Sequence, residues 1–204
     1  MTTLVIDAYE GRDIAIADVP GAYLHAKFPE SKTVILRMTN IFVDIMCEIN
    51  EEYKKHIVYE INKRGKRIKC LYVKVLRALY GCLESAFLWY ELYSNTLKKL
   101  GFKINPYDRC VANKMINGIQ CTIVVYVDDN KISHIDKEVV SSVISDISKH
   151  FSELTVSRGT KHDFLGMDIE IKERKVFIGM KNQIMEAIKW GARQSGKKTS
   201  DASS

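Results

Sequence analysis

Long apolar runs, proline and glycine are all scarce in this chain. No apolar run approaches the length that crosses a membrane, and the beginning, MTTLVIDAYEGRD, has neither a basic segment nor a long apolar segment. Three prolines and eleven glycines among 204 residues leave little low-complexity sequence. We therefore expect no signal peptide and no membrane partner, and a soluble intracellular protein.

Paired cysteines are also lacking. The chain has five cysteines, an odd number, and none stands in a CxxC pair or at a zinc-binding distance from a histidine. They are Cys47, Cys70, Cys82, Cys110 and Cys121. This pattern argues against a disulfide framework and predicts reduced thiols scattered through the core of an intracellular protein.

The composition is that of an ordinary globular domain. Apolar residues make up 46% of the chain and charged residues 27%, so 204 residues suffice for a substantial core. The formal net charge is +6. A positive excess suits a polyanionic partner such as a nucleic acid, but proteins without such a partner share it, so charge alone leaves both possibilities open.

Strand and helix patterns alternate along the chain and predict an α+β fold with a largely antiparallel sheet. Residues 41–55 fit neither pattern. We expect residues 1–190 to form the folded domain, and the small, polar and basic residues 191–204 to be a disordered tail. Helices are expected at residues 85–100, 137–151 and 182–190. Strands are expected at residues 14–19 and 33–38, in hairpins at 57–76 and 111–134, and in a final pair at 164–171 and 175–180.

Turn and cap residues support these boundaries. Gly65 supplies the positive φ that the turn of the first hairpin needs, and Asn117-Gly118 is a preferred type I′ pair for the second. Gly101 is a natural stop for the helix that precedes it. Asp136 is a suitable N-cap for the helix that follows it.

Three aspartates occupy the ends of expected strands. Asp18 closes the first strand, and Asp128 and Asp129 close the most hydrophobic one. Adjacent carboxylates at the mouth of a buried strand repel each other, and a divalent cation such as Mg²⁺ removes that penalty. If the two strands are neighbours, the three acids can converge on two metal ions about 4 Å apart, an arrangement that supports phosphoryl transfer. The alternative is ordinary turn chemistry, which also favours aspartate after a strand or before Pro-Gly.

Four short motifs, in order along the chain, resemble those of copia-type retrotransposon reverse transcriptases. DVPGAYLH at residues 18–25 resembles the first catalytic motif of that family, and YVDD at 126–129 matches its YxDD signature. LYG followed by WY, within residues 79–90, resembles its L-Y-G-L-K-Q-A-P-x-x-W-Y segment. FLGMDI at 164–169 resembles its F-L-G-[IM]-x-I segment, and the whole resemblance covers roughly residues 4–190.

This resemblance implies an RNA-directed DNA polymerase that adds nucleotides to a primer 3′-OH with the help of two Mg²⁺ ions, for which Mn²⁺ can substitute. The implied fold is α+β, a palm whose antiparallel sheet is backed by helices, with partial fingers and a largely missing thumb. The implied partners are an RNA or DNA template with its primer and deoxynucleoside triphosphates. The integrase and RNase H of a polyprotein are expected to be missing from this chain, and the family works in cytoplasmic particles or the nucleus.

The resemblance also assigns roles to individual residues. The implied catalytic residues are Asp18, Asp128 and Asp129. The implied metal ligands are these three carboxylates and the backbone carbonyl of Val19. The implied nucleotide-binding residues are Gly81 and Tyr23, whose ring would act as a steric gate against the ribose 2′-OH. The implied primer-binding residues are Tyr126, Phe164, Leu165, Gly166 and Met167. The implied general acid is Lys161, with Arg158 and His162 as rivals for this role.

Some of these assignments have alternatives in the residues themselves. Tyr23 also fits an ordinary core aromatic, and Tyr126 a buried strand tyrosine. The basic turn at residues 62–67 could contact nucleic-acid phosphates, but a solvated hairpin tip explains its charges better.

Departures from the family pattern bear on activity. Residues 81–86 read GCLESA where the family has G-L-K-Q-A-P, so a lysine is absent and Glu84 replaces an amide. Asn130 stands where leucine or methionine is common. Only seventeen residues precede the first motif in this sequence, too few for the basic fingers strands that grip a triphosphate. Two alternatives to an active polymerase therefore stay open. One is an inactive, truncated remnant that at most binds nucleic acid, and the other is a metal-dependent hydrolase that uses the same acids.

Overall fold

The computed structural model describes residues 2–195, without the side chains of residues 182, 194 and 195. The chain divides into two compact units. The first combines the residues up to Ala22 with those from Tyr90 onward, and the second is Tyr23–Trp89. None of the helices in the described range has both the length and the apolar character needed to span a bilayer.

Short strands and helices follow each other along the whole described chain. The elements are α1 (Thr2–Glu10), β1 (Asp13–Asp18), α2 (Ala22–His25), β2 (Ile35–Thr39), α3 (Ile41–Ile49), a 3₁₀ helix (Glu51–His56), β3 (Val58–Ile61), β4 (Arg67–Lys74), α4 (Ser85–Lys99), β5 (Lys103–Ile104), β6 (Val111–Ile116), β7 (Ile119–Tyr126), β8 (Asp129–His134), α5 (Lys137–Phe151), β9 (Thr155–Arg158), β10 (Lys161–Phe164), β11 (Met167–Lys172), β12 (Lys175–Gly179) and α6 (Lys181–Ser195).

A six-stranded antiparallel sheet forms the centre of the first unit. Its strand order is β5-β6-β7-β8-β1-β9. β8 lies between β7 and β1, and its residues from Asn130 to His134 are all buried. Antiparallel neighbours can be joined by short turns, which is how β6, β7 and β8 follow one another in both sequence and space. The α+β fold with antiparallel sheets that the sequence predicts is confirmed.

The core of the first unit lies against this sheet. Ile14 and Ile16 of β1 join Leu4 of α1 in one buried cluster with Phe164 of β10 and Ile169 of β11, two strands of a separate three-stranded sheet. Helix α5 packs against β1 and β8. The buried residues of α5 are Val139, Val140, Val143, Ile147 and Phe151. Burial of each large apolar side chain contributes roughly 1.5–3 kcal/mol, so this packing fixes β1 and β8 firmly.

Two local signals in the sequence predicted their elements accurately. Asn117 and Gly118 have φ values of 52° and 79°, the two positive angles of a type I′ turn between β6 and β7. Helix α5 spans the predicted residues 137–151, and the side chain of Asp136 accepts a hydrogen bond of 2.9 Å from the backbone N–H of Glu138. Such short-range chemistry does not depend on the rest of the fold.

The predicted disordered tail was wrong at its start. Helix α6 continues through residues 191–195, which the sequence assigned to the tail. Gly191 costs a helix only about 1 kcal/mol relative to alanine, and Ala192, Arg193 and Gln194 are good helix formers. The remainder of the predicted tail, residues 196–204, lies outside the described residues.

The strands around the final hairpin also differ from the prediction. The expected strand at 164–171 starts only at Met167, because Phe164 ends β10 and Leu165-Gly166 forms the turn, with φ values of 55° and 68°. Strand β9, which pairs with β1, was not predicted at all. Its residues are all exposed, so it has none of the apolar alternation on which strand prediction depends.

The second unit is built on a three-stranded sheet in the order β2-β4-β3. The predicted hairpin is formed by β3 and β4, and Gly65 in its turn has a φ of 72°. The side-chain oxygen of Asn62 accepts hydrogen bonds from the N–H groups of Arg64 and Lys66, at 2.9 and 3.0 Å. Residues 41–55, which the sequence left open, form α3 and most of the 3₁₀ helix.

The cysteines are only partly in the core. All five are free thiols. Cys47, Cys70 and Cys121 are buried, Cys82 is half-buried, and Cys110 is exposed. The prediction of core thiols is therefore wrong for Cys110, which lies in the turn between β5 and β6, where no apolar pattern marks its exposure.

A buried ion pair crosses the first unit. Lys131 of β8 donates a hydrogen bond to the Asp7 carboxylate of α1, and both side chains are 1% exposed. Burial lowers the pKa of Lys131, while the negative charge of Asp7 opposes this shift. An ion pair buried in this way adds little net stability, but removing one partner leaves the other charge without compensation.

We predict that Lys131→Met lowers the free energy of unfolding by roughly 3–5 kcal/mol, because Asp7 then remains buried without its cation. The double variant Asp7→Leu, Lys131→Met should recover most of this loss, since neither charge remains. Urea unfolding followed by circular dichroism measures both. If the double variant is as unstable as the single one, lost packing and not the unpaired charge is responsible.

Candidate active site

The pairing of β1 with β8 brings the three predicted acids together. Asp18, the last residue of β1, lies directly opposite Asp129, the first residue of β8. Tyr126 lies opposite Asp129 on the other side, at the end of β7. Directly opposed residues point to the same face of a sheet, so these three side chains share one face. Asp128 precedes Asp129 in the turn between β7 and β8.

The sequence predicted that Asp128 and Asp129 close a strand, and this prediction is wrong. β7 already ends at Tyr126, Val127-Asp128 is the two-residue turn, and Asp129 opens β8. Val127 has a φ of 56°, whereas Asp128 has a negative φ. A positive φ at the first turn residue alone is the type II′ pattern, which favours glycine at that position. A β-branched valine there is strained, at a cost on the order of 1–3 kcal/mol.

The carboxylates repel one another electrostatically. Burial raises the pKa of Asp18 above its usual range, and the negative charge of Asp128 raises it further. Burial likewise raises the pKa of Asp129, with smaller contributions from the charges of Asp128, Asp18 and Asp163. The charges are therefore close enough to penalise each other, and a bound cation would relieve that penalty.

Asp163 is an acid near this site that the sequence did not single out. It lies on β10 and its charge contributes to the raised pKa of Asp129. Asp163 directly precedes the FLG motif at residues 164–166, which is the only signal in the sequence. Its proximity to Asp129 results from the packing of strands that are distant in the sequence, so it could not be derived from the position of Asp163 beside the FLG motif.

Two groups hold the backbone of the turn in place. The carbonyl oxygen of Asp128 accepts a hydrogen bond of 3.0 Å from the N–H of Val19 and another of 3.0 Å from the side-chain amide of Asn130. The same amide lies 3.4 Å from the carbonyl oxygen of Ala17. Asn130 is fully buried. The residue that departs from the family pattern thus fastens the turn to β1, which leucine or methionine could not do.

The donor set suits a hard divalent cation, although it is incomplete by itself. In residues 2–195 no group of three or more His, Cys, Asp or Glu side chains is arranged to hold a metal ion. The opposed carboxylates of Asp18 and Asp129 do provide two oxygen donors whose mutual repulsion a cation would remove. Mg²⁺ is commonly held by one or two carboxylates together with water and substrate phosphates, so two protein donors fit it.

The predicted nucleotide-binding residues, Tyr23 and Gly81, belong to the second unit, whereas the three acids belong to the first. Tyr23 is half-buried on α2, and its ring stacks on Tyr80 with 4.3 Å between the ring centroids. Gly81 has a φ of 91°, and a Cβ there would meet no atom within 4 Å. Glycine is therefore required at position 81 by the backbone angle and not by lack of space.

The Glu84 departure has a charge partner within the second unit. Lys32 donates a hydrogen bond to the Glu84 carboxylate, and both side chains are 42% exposed. Leu83, which replaces the lysine of the family pattern, is 99% exposed. The segment therefore has an added anion that is neutralised locally and an apolar side chain in water where the family has a cation.

The predicted primer-binding residues differ in exposure. Tyr126 is 57% exposed, so the alternative of a buried strand tyrosine is wrong. Phe164 is buried in the core cluster and Met167 packs against it, so their side chains stabilise the hairpin rather than contact solvent. Only Leu165, which is 37% exposed, and the backbone of Gly166 are presented at the turn.

Lys161 and its two rivals lie on neighbouring strands. The side chain of Lys161 is 77% exposed and lies 3.8 Å from the Glu170 carboxylate across the β10–β11 pair. Arg158 lies 3.4 Å from Asp13. His162 is buried, and burial lowers its pKa. Of the three, Lys161 is the most accessible to a ligand.

We predict that Val127→Gly leaves the free energy of unfolding within about 1 kcal/mol of the original value, because relief of the positive φ offsets the lost side chain. Val125→Gly, in the adjoining strand β7, is the matched control and should lower stability by about 2 kcal/mol. Thermal unfolding of the two variants gives the comparison. Equal losses would show that the turn is not strained.

Curated relatives of this chain come from retrotransposons. It is 25% identical over 186 residues to the "Retrovirus-related Pol polyprotein from transposon TNT 1-94" of Nicotiana tabacum, covering 90% of this chain and 12% of that protein. It is 26% identical over 123 residues to the "Transposon Ty1-DR5 Gag-Pol polyprotein" of Saccharomyces cerevisiae, covering 57% of this chain and 7% of that protein. The chain thus spans about an eighth or less of the length of these relatives.

Two solved telomerase structures are also similar. One is apo telomerase from Candida tropicalis truncated from the C-terminal domain, with 12% identity, a TM-score of 0.46, and coverage of 87% of this chain and 38% of that chain. The other is telomerase from Candida albicans in complex with a fragment of telomeric RNA, with 10% identity, a TM-score of 0.44, and coverage of 95% and 39%.

The family comparison covers nearly the whole described chain. The sequence model of the family described as "Reverse transcriptase (RNA-dependent DNA polymerase)" matches residues 2–191. This match contains all four motifs that the sequence analysis identified, and the resemblance to copia-type retrotransposon polymerases is confirmed. The chain belongs to the reverse transcriptase (RNA-dependent DNA polymerase) family, as a copia-type member that corresponds to part of a Pol polyprotein.

Proposed function

We propose that this chain is the core of an RNA-directed DNA polymerase that transfers nucleotides to a primer 3′-OH. The observation that carries the proposal is the direct opposition of Asp18 and Asp129 on neighbouring strands, with Asp128 in the adjoining turn. Family membership supplies the reaction class, and the acids lie together at one end of the β1–β8 pair.

The acids are proposed to act as ligands. Asp18, Asp128, Asp129 and the carbonyl of Val19 would hold Mg²⁺, or Mn²⁺ in its place. When bound, the metal increases the acidity of the primer hydroxyl and neutralises charge on the leaving pyrophosphate. Asn130 holds the Asp128 carbonyl, and so keeps the turn that carries two of the acids in one position.

The other site residues select and orient the substrates. Tyr23 would exclude a ribose 2′-OH, and the open backbone at Gly81 would lie against the incoming nucleotide. The exposed ring of Tyr126 and the turn at residues 164–167 would position the primer end. Lys161 is the candidate donor of a proton to the leaving pyrophosphate, because it is more accessible than Arg158 or His162.

The two units correspond to different parts of a polymerase in this proposal. The first unit would be the palm, with the β10–β11 hairpin as the primer grip, and the second unit would be partial fingers. The thumb would be largely missing. Residues 1–190 would then form one functional domain despite the division into two compact units.

The proposed partners are an RNA or DNA template with its primer and deoxynucleoside triphosphates. The basic side chains at the turn between β3 and β4 are exposed, and Arg67 also lies 4.1 Å above the ring of Tyr59. If these basic side chains contact phosphates of the template or primer, nucleic-acid binding should weaken steeply as the salt concentration rises. The rest of the polyprotein would supply integrase and RNase H, and the site of action would be a cytoplasmic particle or the nucleus.

A second candidate function is a remnant that folds but does not catalyse. Two observations favour it. No three-carboxylate group in the described residues is arranged to hold a metal, and Leu83 leaves an apolar side chain where the family pattern has a cation. Such a protein would bind an RNA–DNA duplex without extending its primer.

The deciding experiment is primer extension on an RNA template with Mg²⁺ or Mn²⁺. Asp128→Asn should reduce extension by at least about 100-fold, because a neutral amide does not balance the positive charge of the metal ion as a carboxylate does. Asp146→Asn, which changes an exposed helical carboxylate that pairs with Lys149, is the matched control and should retain activity.

Each other outcome points elsewhere. Extension that survives in Asp128→Asn would contradict the proposed site. A folded wild-type protein that binds heteroduplex but extends no primer with either metal would establish the remnant instead.

A further inference from the structure

We infer that Tyr80 is a specificity-determining positioning residue, which holds the ring of Tyr23 where it can exclude a ribose 2′-OH. Discrimination between deoxyribonucleotides and ribonucleotides would then depend on Tyr80 as well as on Tyr23. This inference rests on the proposed polymerase function and adds a residue to it.

The two rings are in direct contact. Their centroids are 4.3 Å apart and their planes are inclined by 38°. This is a tilted aromatic pair, slightly closer than the roughly 4.5–7 Å at which such pairs commonly attract each other. Displacement of the Tyr23 ring by a larger sugar would have to break this contact or move Tyr80.

Tyr23 has little else in its own helix to fix it. It lies on α2, which has only four residues, and a helix of this length has no stability of its own. The helix is anchored through small buried side chains, Ala22 and the nearby Ala26. These anchors fix the backbone but not the rotamer of a long aromatic side chain, which needs a neighbouring surface.

Tyr80 stands on a segment that is fastened to the same region. The N–H of Ala78 donates a hydrogen bond of 2.9 Å to the carbonyl of Ala26, and Lys27 and Arg77 form an isolated β-bridge. The hydroxyl of Ser85 donates a hydrogen bond of 2.7 Å to the carbonyl of Leu79. The backbones that carry the two rings therefore move together.

A steric gate works only if its ring resists displacement. The 2′-OH adds one oxygen atom to the sugar, so a shift of the ring by the width of that atom removes the discrimination. The ring of Tyr80 blocks a shift of the Tyr23 ring in the direction of Tyr80. Since the ring of Tyr80 is itself held only in part, with 59% of the residue exposed, its contribution should be smaller than that of Tyr23.

The test measures kcat/KM for a deoxyribonucleotide and for the matching ribonucleotide in primer extension by the full chain. Tyr80→Ala should reduce the ratio of the two values about 5- to 10-fold, the effect expected from losing one aromatic contact. Tyr80→Phe keeps the ring and should retain the ratio. Tyr23→Val removes the gate and should reduce the ratio further than Tyr80→Ala.

The double variant gives a second, independent result. If Tyr80 acts through Tyr23, Tyr80→Ala should reduce the ratio no further once Tyr23→Val is present, because contacting residues are not additive. A merely structural role would lower kcat/KM for both nucleotides in proportion and leave the ratio unchanged, which would overturn the inference. Tyr80→Leu, which keeps apolar volume without a ring, guards against a loss of folding in Tyr80→Ala.

Failure of the inference can be told apart from failure of the proposed function. If wild type extends no primer, the polymerase proposal falls and Tyr80 has no gate to position. If wild type extends its primer with a preference for deoxyribonucleotides and Tyr80→Ala keeps that preference, only the role of Tyr80 is refuted.

Discussion

The antiparallel pairing of β1 with β8 is the constraint on which the site depends. It places Asp18 opposite Asp129, and β7 pairs with the other edge of β8 through Tyr126. A register slip of one residue would turn every side chain of β1 to the other face of the sheet. Packing on the two faces of β1 resists such a slip, since Ile14 and Ile16 fill one buried face and the small Ala15 and Ala17 the other. Exchanging them would overpack one face and leave space on the other. The packing of β1 thus fixes the position of Asp18 relative to Asp129.

The same pairing creates an energetic cost that the surrounding structure absorbs. Burial and neighbouring negative charges raise the pKa values of Asp18 and Asp129, and Val127 is held at a positive φ in the adjoining turn. The hydrogen bonds from Val19 and Asn130 to the Asp128 carbonyl oppose the tendency of the turn to relax. Strain and repulsion that persist at one point of an otherwise well-packed sheet are typical of functional sites.

Local chemistry made part of this arrangement predictable from the sequence. The Asn117-Gly118 turn and the Asp136 cap depend on nearest neighbours, so the position of the β6–β7 turn and the bounds of helix α5 were predicted accurately. Strand β9 and the proximity of Asp163 to Asp129 were not predictable, because both arise from pairing between distant segments. Asn130 was recognised only as a departure from a pattern. Its role required the positions of the Asp128 and Ala17 carbonyl oxygens, which no spacing in the sequence contains.

The unusual polar residues bear on whether the chain is a working polymerase or a remnant. Substitutions that accumulate without selection are expected to leave buried or crowded charges without partners, since most of them destabilise. Here Lys131 is paired with Asp7, Glu84 with Lys32, and the amide of Asn130 donates to two carbonyls. The two partners of each ion pair are far apart in the sequence, so each pair requires two compatible residues, whereas Asn130 needs only backbone carbonyls. The two ion pairs are typical of a maintained fold, and Asn130 is the compensating residue that contacts the acid site. Leu83 is exposed, so its apolar side chain costs the fold little.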